Sequence, residues 1–129
     1  MNIEFMKKAI ELASQNSEAM GKSYGAVIVK DGEIIGSGVN EVTSRQDPTA
    51  HAELLAIQVA AKKLKTTNLE GCEVYASGEP CAMCLSAIYW ANIKTVYFAE
   101  TATDVSAFIY NELKKPREER TITIKQIKP

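Results

Sequence analysis

The chain has 129 residues, of which 46% are hydrophobic and 24% are charged, and its formal net charge is −1. This length and apolar content allow one domain to bury a core without disulfide support, so we expect residues 1–129 to form a single domain. The near balance of charge is not typical of proteins that hold nucleic acid through phosphates, and the N-terminus lacks the apolar run of a signal peptide or spanning helix.

Hydrophobic periodicity and turn residues predict elements in the order α-β-β-α-β-α-β-α-β. Helices are predicted at 3–20, 51–65, 81–91 and 104–115. Strands are predicted at 25–30, 33–39, 73–77, 94–99 and 121–127, with a polar loop at 40–50. The strands on either side of Asp31-Gly32 are typical of an antiparallel hairpin, whereas strands joined through helices tend to be parallel. We therefore predict a three-layer α/β/α fold.

Two further expectations concern the starts of two helices and the C-terminal segment. Thr49 is the predicted N-cap of the helix at 51–65, and Pro80 stands just before the helix at 81–91, where its fixed φ costs little. The segment 114–129 carries six Lys or Arg against two Glu. Such a basic tail is more typical of a solvated surface than of a polyanion site.

The cysteines point to metal or redox chemistry. Cys81 and Cys84 lie three residues apart at a predicted helix start, and the only histidine, His51, begins another predicted helix. Without a secretory signal this spacing is not typical of a disulfide framework, and we expect a cytoplasmic protein. Zinc prefers thiolate and imidazole ligands, and a catalytic zinc keeps three protein ligands with a fourth position for water. The sequence therefore predicts one Zn²⁺ per chain.

Glu53 lies two residues beyond His51 on the same predicted helix. Residues two apart do not share a helix face, so Glu53 need not bind the metal and can face water at the open position instead. Two thiolates cancel the charge of Zn²⁺, so the metal acidifies water less than an all-histidine site would. A carboxylate can make up for this weaker acidification, because it takes the proton from water and returns it to a leaving amine. We therefore predict that Glu53 is the catalytic residue.

Other interpretations of these residues stay open at this point. The CxxC pair could be a redox pair or half of a structural zinc site. Cys72 is predicted to be a small buried hydrophobic residue, but it could complete a Cys₃His site and close the metal to water. That arrangement would make the chain a non-catalytic zinc-binding module.

The two motifs together match the H-x-E…P-C-x-x-C signature of zinc base deaminases. DPTAHAE at 47–53 and EPCAMC at 79–84 resemble the cytidine-deaminase-like superfamily, in the branch with His as first ligand. The resemblance implies a five-stranded mixed sheet between helices, with His51, Cys81 and Cys84 as zinc ligands and Glu53 as proton shuttle. It also implies that Asn40 hydrogen-bonds the substrate base.

Further substrate contacts follow from the same resemblance. Backbone groups around Ala52 would hold the ring, and Tyr24, where the family often has Phe, would edge the pocket. Trp90 could stack on a base or belong to the core or an interface. Asp104 is the nearest candidate for the acidic residues that help this type of enzyme recognise guanine, or it could be an N-cap.

Within the branch, YGAVIVKDG at 24–32, AIYWA at 87–91 and FIYNELKKPREERTI at 108–122 resemble bacterial guanine deaminases. The resemblance implies hydrolytic deamination of a free base, guanine or a related amino-purine, pyrimidine or triazine, by a homodimer. Alternatives are a tRNA adenosine deaminase, supported by the basic tail, and a cytosine deaminase. No membrane partner is expected, and a nucleic-acid partner is not favoured.

Overall fold

The backbone of the computed structural model follows the predicted order of elements for most of its length. The structure describes residues 1–16 and 24–129, with the backbone alone described at Asp104 and Val105. The helices are α1 (Ile3–Gln15), α2 (Val42–Arg45), α3 (Ala52–Leu64), α4 (Ala82–Trp90) and α5 (Asp104–Lys114), followed by a 3₁₀ turn at Arg117–Glu119. The strands are β1 (Gly25–Lys30), β2 (Glu33–Val39), β3 (Cys72–Gly78) and β4 (Thr95–Glu100). Part of the helix predicted at 3–20 lies outside the described residues.

The strands form a mixed sheet in the order β2-β1-β3-β4. β1 is antiparallel to both β2 and β3, and β3 is parallel to β4. The predicted hairpin is confirmed, since Asp31 and Gly32 both adopt positive φ between β1 and β2. The parallel pair is joined through α4, as the crossover of a parallel unit requires.

Helices cover both faces of this sheet. α1 packs through Met6 and Ala9 against Val27, Val29 and Tyr75 on one face. The other face packs against α3 and α4 in a larger cluster, whose buried members include Ile28, Val74, Ala56 and Ile88. The three-layer prediction is therefore confirmed. In the described part of the chain no helix is both long and apolar enough to cross a membrane.

The predicted fifth strand at 121–127 is wrong, and the sheet has four strands among the described residues. The Thr/Ile alternation there fits a half-buried strand, but Ile122, Ile124 and Ile127 are all exposed. A strand needs a partner edge and an apolar layer to cover one face. The first residue of this segment is instead bonded to α5, since the Thr121 N–H donates to Glu112 Oε1 at 2.7 Å.

The start of α3 is pressed close to the sheet because β2 carries glycine at the contact. A Cβ on Gly38 would overlap the carbonyl oxygen of Ala52, the first residue of α3. Any larger residue at 38 would push this helix away. The close approach fixes the height of the α3 N-terminus above the sheet.

Candidate active site

The starts of α3 and α4 bring the three predicted metal ligands together. His51 is the N-cap residue of α3, Cys81 is the N-cap residue of α4, and Cys84 lies in the first turn of α4. The predicted cap at Thr49 is wrong, because its N–H and hydroxyl both donate to Asp47 Oδ1, at 2.8 and 2.6 Å. That turn leaves His51 as the last extended residue before the helix, with its imidazole directed to the cysteines.

The distances between these groups fit a tetrahedral metal centre. His51 Nδ1 lies 3.6 Å from Cys81 Sγ and 3.5 Å from Cys84 Sγ. All three ligand atoms lie within 4.8 Å of one another. Zinc bonds of about 2.3 Å to sulfur and 2.0 Å to nitrogen place N and S about 3.5 Å apart at a tetrahedral angle. The donor set and its spacing therefore fit one zinc ion, with one corner open to a further ligand.

The electrostatics of the cluster also favour a cation. A hydrogen bond from the Cys84 thiol, together with one to His51, lowers the pKa of Cys81 to about 4. The same interaction, with burial, raises the pKa of Cys84 above its usual range. The hydrogen bond to Cys81 raises the pKa of His51. The lowered pKa of Cys81 and the raised pKa of Cys84 favour one thiolate beside one thiol, and metal binding requires that thiol to lose its proton.

Glu53 lies beside the cluster without belonging to it. Its side chain is 7% exposed, and burial is the main reason that its carboxyl pKa is raised. Cys81 and Cys84 both contribute to the pKa of this carboxyl group, so the carboxylate is adjacent to the sulfur cluster. A buried carboxyl group next to an open metal corner is suited to accept a proton and to release it again.

Cys72 does not complete a fourth ligand position. It begins β3, whereas the turn that leads to Cys81 leaves the other end of the strand at Gly78. Six residues of extended chain span roughly 20 Å. Its partner in the sheet is Lys30, and it is 3% exposed within the core. The buried-hydrophobe interpretation is therefore the correct one for Cys72, and the three-ligand cluster keeps its open corner.

Tyr24 and Asn40 lie together at the rim of the site. The Tyr24 ring packs on Gly78, with Cε1 2.7 Å from the point that a Cβ would occupy. The Asn40 N–H donates to the Tyr24 carbonyl at 3.2 Å. Asn40 Oδ1 accepts the Val42 N–H at 2.9 Å, which leaves the amide NH₂ as the group available to a substrate. Burial, then Glu100 and Glu53, raise the pKa of Tyr24, so its hydroxyl is protonated at neutral pH.

The other predicted substrate contacts are placed differently. Ala52 is buried at the first position of α3, where a helix leaves its N–H without an intrahelical partner. Trp90 lies at the far end of α4 from Cys84, roughly 9 Å along the axis, and is 88% exposed. It is thus neither core nor close to the cluster. The side chain of Asp104 lies outside the described residues; Thr103, not Asp104, is the N-cap of α5.

Glu79 and Tyr110 also lie next to the cluster, and the sequence interpretation missed both. Glu79 Oε1 accepts the Ala102 N–H at 2.8 Å, and the Tyr110 hydroxyl donates to the Pro80 carbonyl at 2.9 Å. Burial and then the nearby Cys81 and Glu79 raise the pKa of Tyr110, which keeps it a donor. The position of Glu79 two residues before Cys81 was a usable signal, whereas Tyr110 had none.

Comparisons with known proteins agree with this geometry. Guanine deaminase of Bacillus subtilis (strain 168) is 50% identical over 135 residues, covering 98% of this chain and 86% of that protein. The X-ray structure of guanine deaminase from Bacillus subtilis superposes with a TM-score of 0.90 at 49% identity, covering 100% of this chain and 87% of that one. A tRNA-specific adenosine deaminase of Aquifex aeolicus (strain VF5) is 46% identical over 95 residues, covering 74% of this chain and 63% of that protein.

The family itself is identified by the region that builds the metal site. Residues 1–100 match the family described as the cytidine and deoxycytidylate deaminase zinc-binding region. That stretch contains β1 to β4 and all three metal ligands. The chain therefore belongs to the family of zinc-dependent deaminases that carry the cytidine and deoxycytidylate deaminase zinc-binding region.

Proposed function

We propose that this protein is a single-domain enzyme that hydrolyses the exocyclic amine of guanine or of a closely similar free base, releasing ammonia. The observation that carries the proposal is the three-ligand cluster of His51, Cys81 and Cys84 with an open corner beside the buried carboxyl group of Glu53. A structural zinc site closes all four positions with protein ligands. This cluster leaves one position for the reaction.

Glu53 is the proposed proton carrier. When bound, the zinc ion supplies a Lewis acid that activates water for attack on the amine-bearing carbon. Glu53 would take one proton of that water and pass it to the ring nitrogen. It would then take the second proton, from the hydroxyl group now on the attacked carbon, and deliver it to the amine as the C–N bond breaks, the carbonyl forms and ammonia leaves. The raised pKa of its carboxyl group favours this exchange, because burial weakens its preference for the ionised form.

Asn40, Ala52 and Tyr24 are proposed to hold the base. The Asn40 NH₂ group offers donors, while the Val42 N–H already bonds to the amide oxygen, and the Ala52 N–H is a further donor. Two donors suit a base with a carbonyl oxygen and a ring-nitrogen acceptor, as guanine has. The Tyr24 ring forms an aromatic wall above Gly78 against which a planar base can lie.

Asp104 is proposed as an acceptor for the N–H groups of the base. It is the first residue of α5, and Ala102, two residues earlier, is hydrogen-bonded to Glu79 in the turn before Cys81. The N-terminal end of α5 is thereby held at the site. A carboxylate at this place would pair with the adjacent N–H groups of guanine, which adenine and cytosine do not present in the same arrangement.

The stretch after residue 100 favours guanine over a tRNA substrate. The alignment with the Bacillus subtilis guanine deaminase covers 98% of this chain, against 74% for the Aquifex aeolicus tRNA-specific adenosine deaminase. The basic tail also has internal partners. Lys115 pairs with Glu112 at 2.6 Å, and Arg120 donates to the carbonyls of Glu112 and Leu113. These two cations are therefore partly used within the fold.

We also propose that two copies associate through the exposed end of α4. Tyr89 and Trp90 are 77% and 88% exposed, and neighbouring exposed aromatic side chains are typical of protein contacts. Sedimentation equilibrium should give a dimer mass for the wild type and a monomer mass for Trp90→Glu. Ile34→Glu, at an exposed position on β2, is the control and should stay dimeric. An unchanged mass for Trp90→Glu would remove this surface from the interface.

The substrate is tested with purified, zinc-loaded protein. Ammonia release is measured on guanine, adenine, cytosine, their nucleosides, aminotriazines and an adenosine-containing anticodon stem-loop. Release from guanine with no turnover of the nucleosides or the stem-loop is the expected result. Turnover of the stem-loop alone, lost as salt rises, would replace the proposal with tRNA deamination. Release from cytosine alone would replace it with cytosine deamination.

A further inference from the structure

The turn before Cys81 is bonded at three points to the end of β4 and to the stretch that follows it. The Glu79 N–H donates to the Glu100 carbonyl at 2.7 Å, which continues the pairing of β3 with β4. The Ala102 N–H donates to Glu79 Oε1 at 2.8 Å. The Tyr110 hydroxyl donates to the Pro80 carbonyl at 2.9 Å. All three contacts fall within two residues of Cys81.

We propose that Glu79 and Tyr110 are positioning residues that hold Cys81 in its metal-binding geometry. Neither side chain belongs to the ligand cluster. Each acts through the backbone of residues 79–80, and the position of that backbone determines where Cys81 Sγ lies in the cluster. The inference concerns the metal centre and does not depend on which base the enzyme hydrolyses.

The Pro80 carbonyl explains why Tyr110 matters. Pro80 is buried and has no N–H, so its carbonyl is the one backbone polar group that this residue can use to anchor itself. A buried carbonyl without a partner carries a desolvation cost, and the turn would rotate to reach water. Tyr110 lies in α5, and its hydroxyl donates a hydrogen bond to that carbonyl. Removing the hydroxyl frees the peptide that leads directly into Cys81.

Glu79 acts from the other side of the same turn. Its carboxylate accepts the Ala102 N–H just before the capping box of Thr103 and Ser106 that starts α5. The bond therefore fixes both the approach to Cys81 and the position of α5, from which Tyr110 projects. Loss of either contact should loosen the other. Groups that orient metal ligands in this way typically change metal affinity by about 10- to 100-fold when they are removed.

The test measures metal binding in full-length protein, independently of turnover. Zinc affinity is obtained by competition with a chromophoric chelator, and the Co²⁺-substituted protein gives the ligand-field spectrum. The variants are Tyr110→Phe, Glu79→Ala and Glu79→Gln. The matched control is Tyr97→Phe, which removes a hydroxyl that donates to Glu73 Oε2 at 3.4 Å on the other face of β3 and β4.

Tyr110→Phe and Glu79→Ala should each weaken zinc binding by about 10-fold and shift the Co²⁺ spectrum, while Tyr97→Phe stays within about 2-fold of the wild type. Glu79→Gln keeps an acceptor for the Ala102 N–H and should restore most of the affinity. If Tyr110→Phe is too unstable to assay, the difference between Glu79→Ala and Glu79→Gln decides the matter. Lower thermal midpoints with unchanged zinc affinity and Co²⁺ spectrum would overturn the proposal, because they would indicate a purely structural role.

Discussion

Residues 1–100 and residues 101–129 are stabilised in different ways. In the described part of the chain, every buried apolar side chain lies between Met6 and Ile93. Among the side chains described after residue 100, the one that is buried is Glu112, which holds Lys115 and Thr121 by hydrogen bonds. The first region can therefore fix metal ligands through packing, whereas the second is held by polar contacts that can change without disturbing the core. We infer that the first supplies the metal ligands and the proton carrier, and that the second holds the turn before Cys81 and adapts the site to a substrate.

The largest effect should come from the first region. Cys81→Ala removes a ligand from the cluster and leaves His51 and Cys84 as a two-ligand site. Zinc content, measured by atomic absorption after dialysis, should fall from about one ion per chain to almost none, with activity lost in parallel. Cys72→Ala is the matched control, since Cys72 lies at the other end of β3, and it should keep its zinc. Retention of zinc by Cys81→Ala would contradict the proposed ligand set.

A smaller effect is expected at the rim of the site in the first region, where Tyr24 packs on Gly78. In Gly78→Ala the new Cβ would lie 2.7 Å from Tyr24 Cε1, so the ring must move. We expect kcat/KM to fall by about 10- to 100-fold, mainly through KM, with zinc content unchanged.

The double variant Gly78→Ala with Tyr24→Ala is the control for that substitution. It removes the ring that is displaced, so Gly78→Ala should add little to the effect of Tyr24→Ala alone. Two fully additive effects would mean that the ring and the glycine act separately.

The smallest effect concerns the second region and depends on pH. Hydrogen bonds from Lys115 and then Thr121 lower the pKa of Glu112 from 4.5 to about 2. The resulting stabilisation is fully present above pH 4.5, and it is lost as the pH falls towards 2, where the folded state also takes up the proton. The thermal midpoint of Glu112→Gln should therefore lie slightly below that of the wild type at pH 7, and the two should converge near pH 2.

Glu118→Gln removes a charge from an exposed position in the same region and should leave the thermal midpoint unchanged at every pH. A gap between the wild type and Glu112→Gln that persists at pH 2 would show that the ionised carboxylate is not the cause.

The sequence predicted the ligand cluster from the types of its donor residues. His51 and the Cys81–Cys84 pair each stand at a helix start, and zinc restricts the donor types and their number. The hairpin at Asp31-Gly32 was predicted from its turn residues. The hairpin depends on short-range geometry, whereas the cluster joins residues thirty positions apart and was predictable because zinc selects its donor types.

The wrong or missing predictions concern residues whose structure depends on tertiary contacts, which the spacing of residues in the sequence does not show. The alternation at 121–127 has the period of a strand, but it has no apolar layer to cover. Thr49 has the side chain of an N-cap residue, but its hydroxyl donates to Asp47 Oδ1 instead of capping the helix. Of the roles considered for Trp90, the core is excluded because the residue stands at the exposed end of α4, and the interface stays a prediction. The bond from Tyr110 to Pro80 joins residues thirty positions apart and depends on where α5 packs.

The central claim is that Glu53 moves the proton while the three ligands hold the metal. It is tested most directly by comparing zinc content and the rate of ammonia release from guanine in the wild type and in Glu53→Gln. The account predicts equal zinc content and a loss of about 10²- to 10⁴-fold in kcat, because the amide keeps the shape of the carboxylate without its proton chemistry. Full activity in Glu53→Gln, or loss of zinc together with activity, would contradict it.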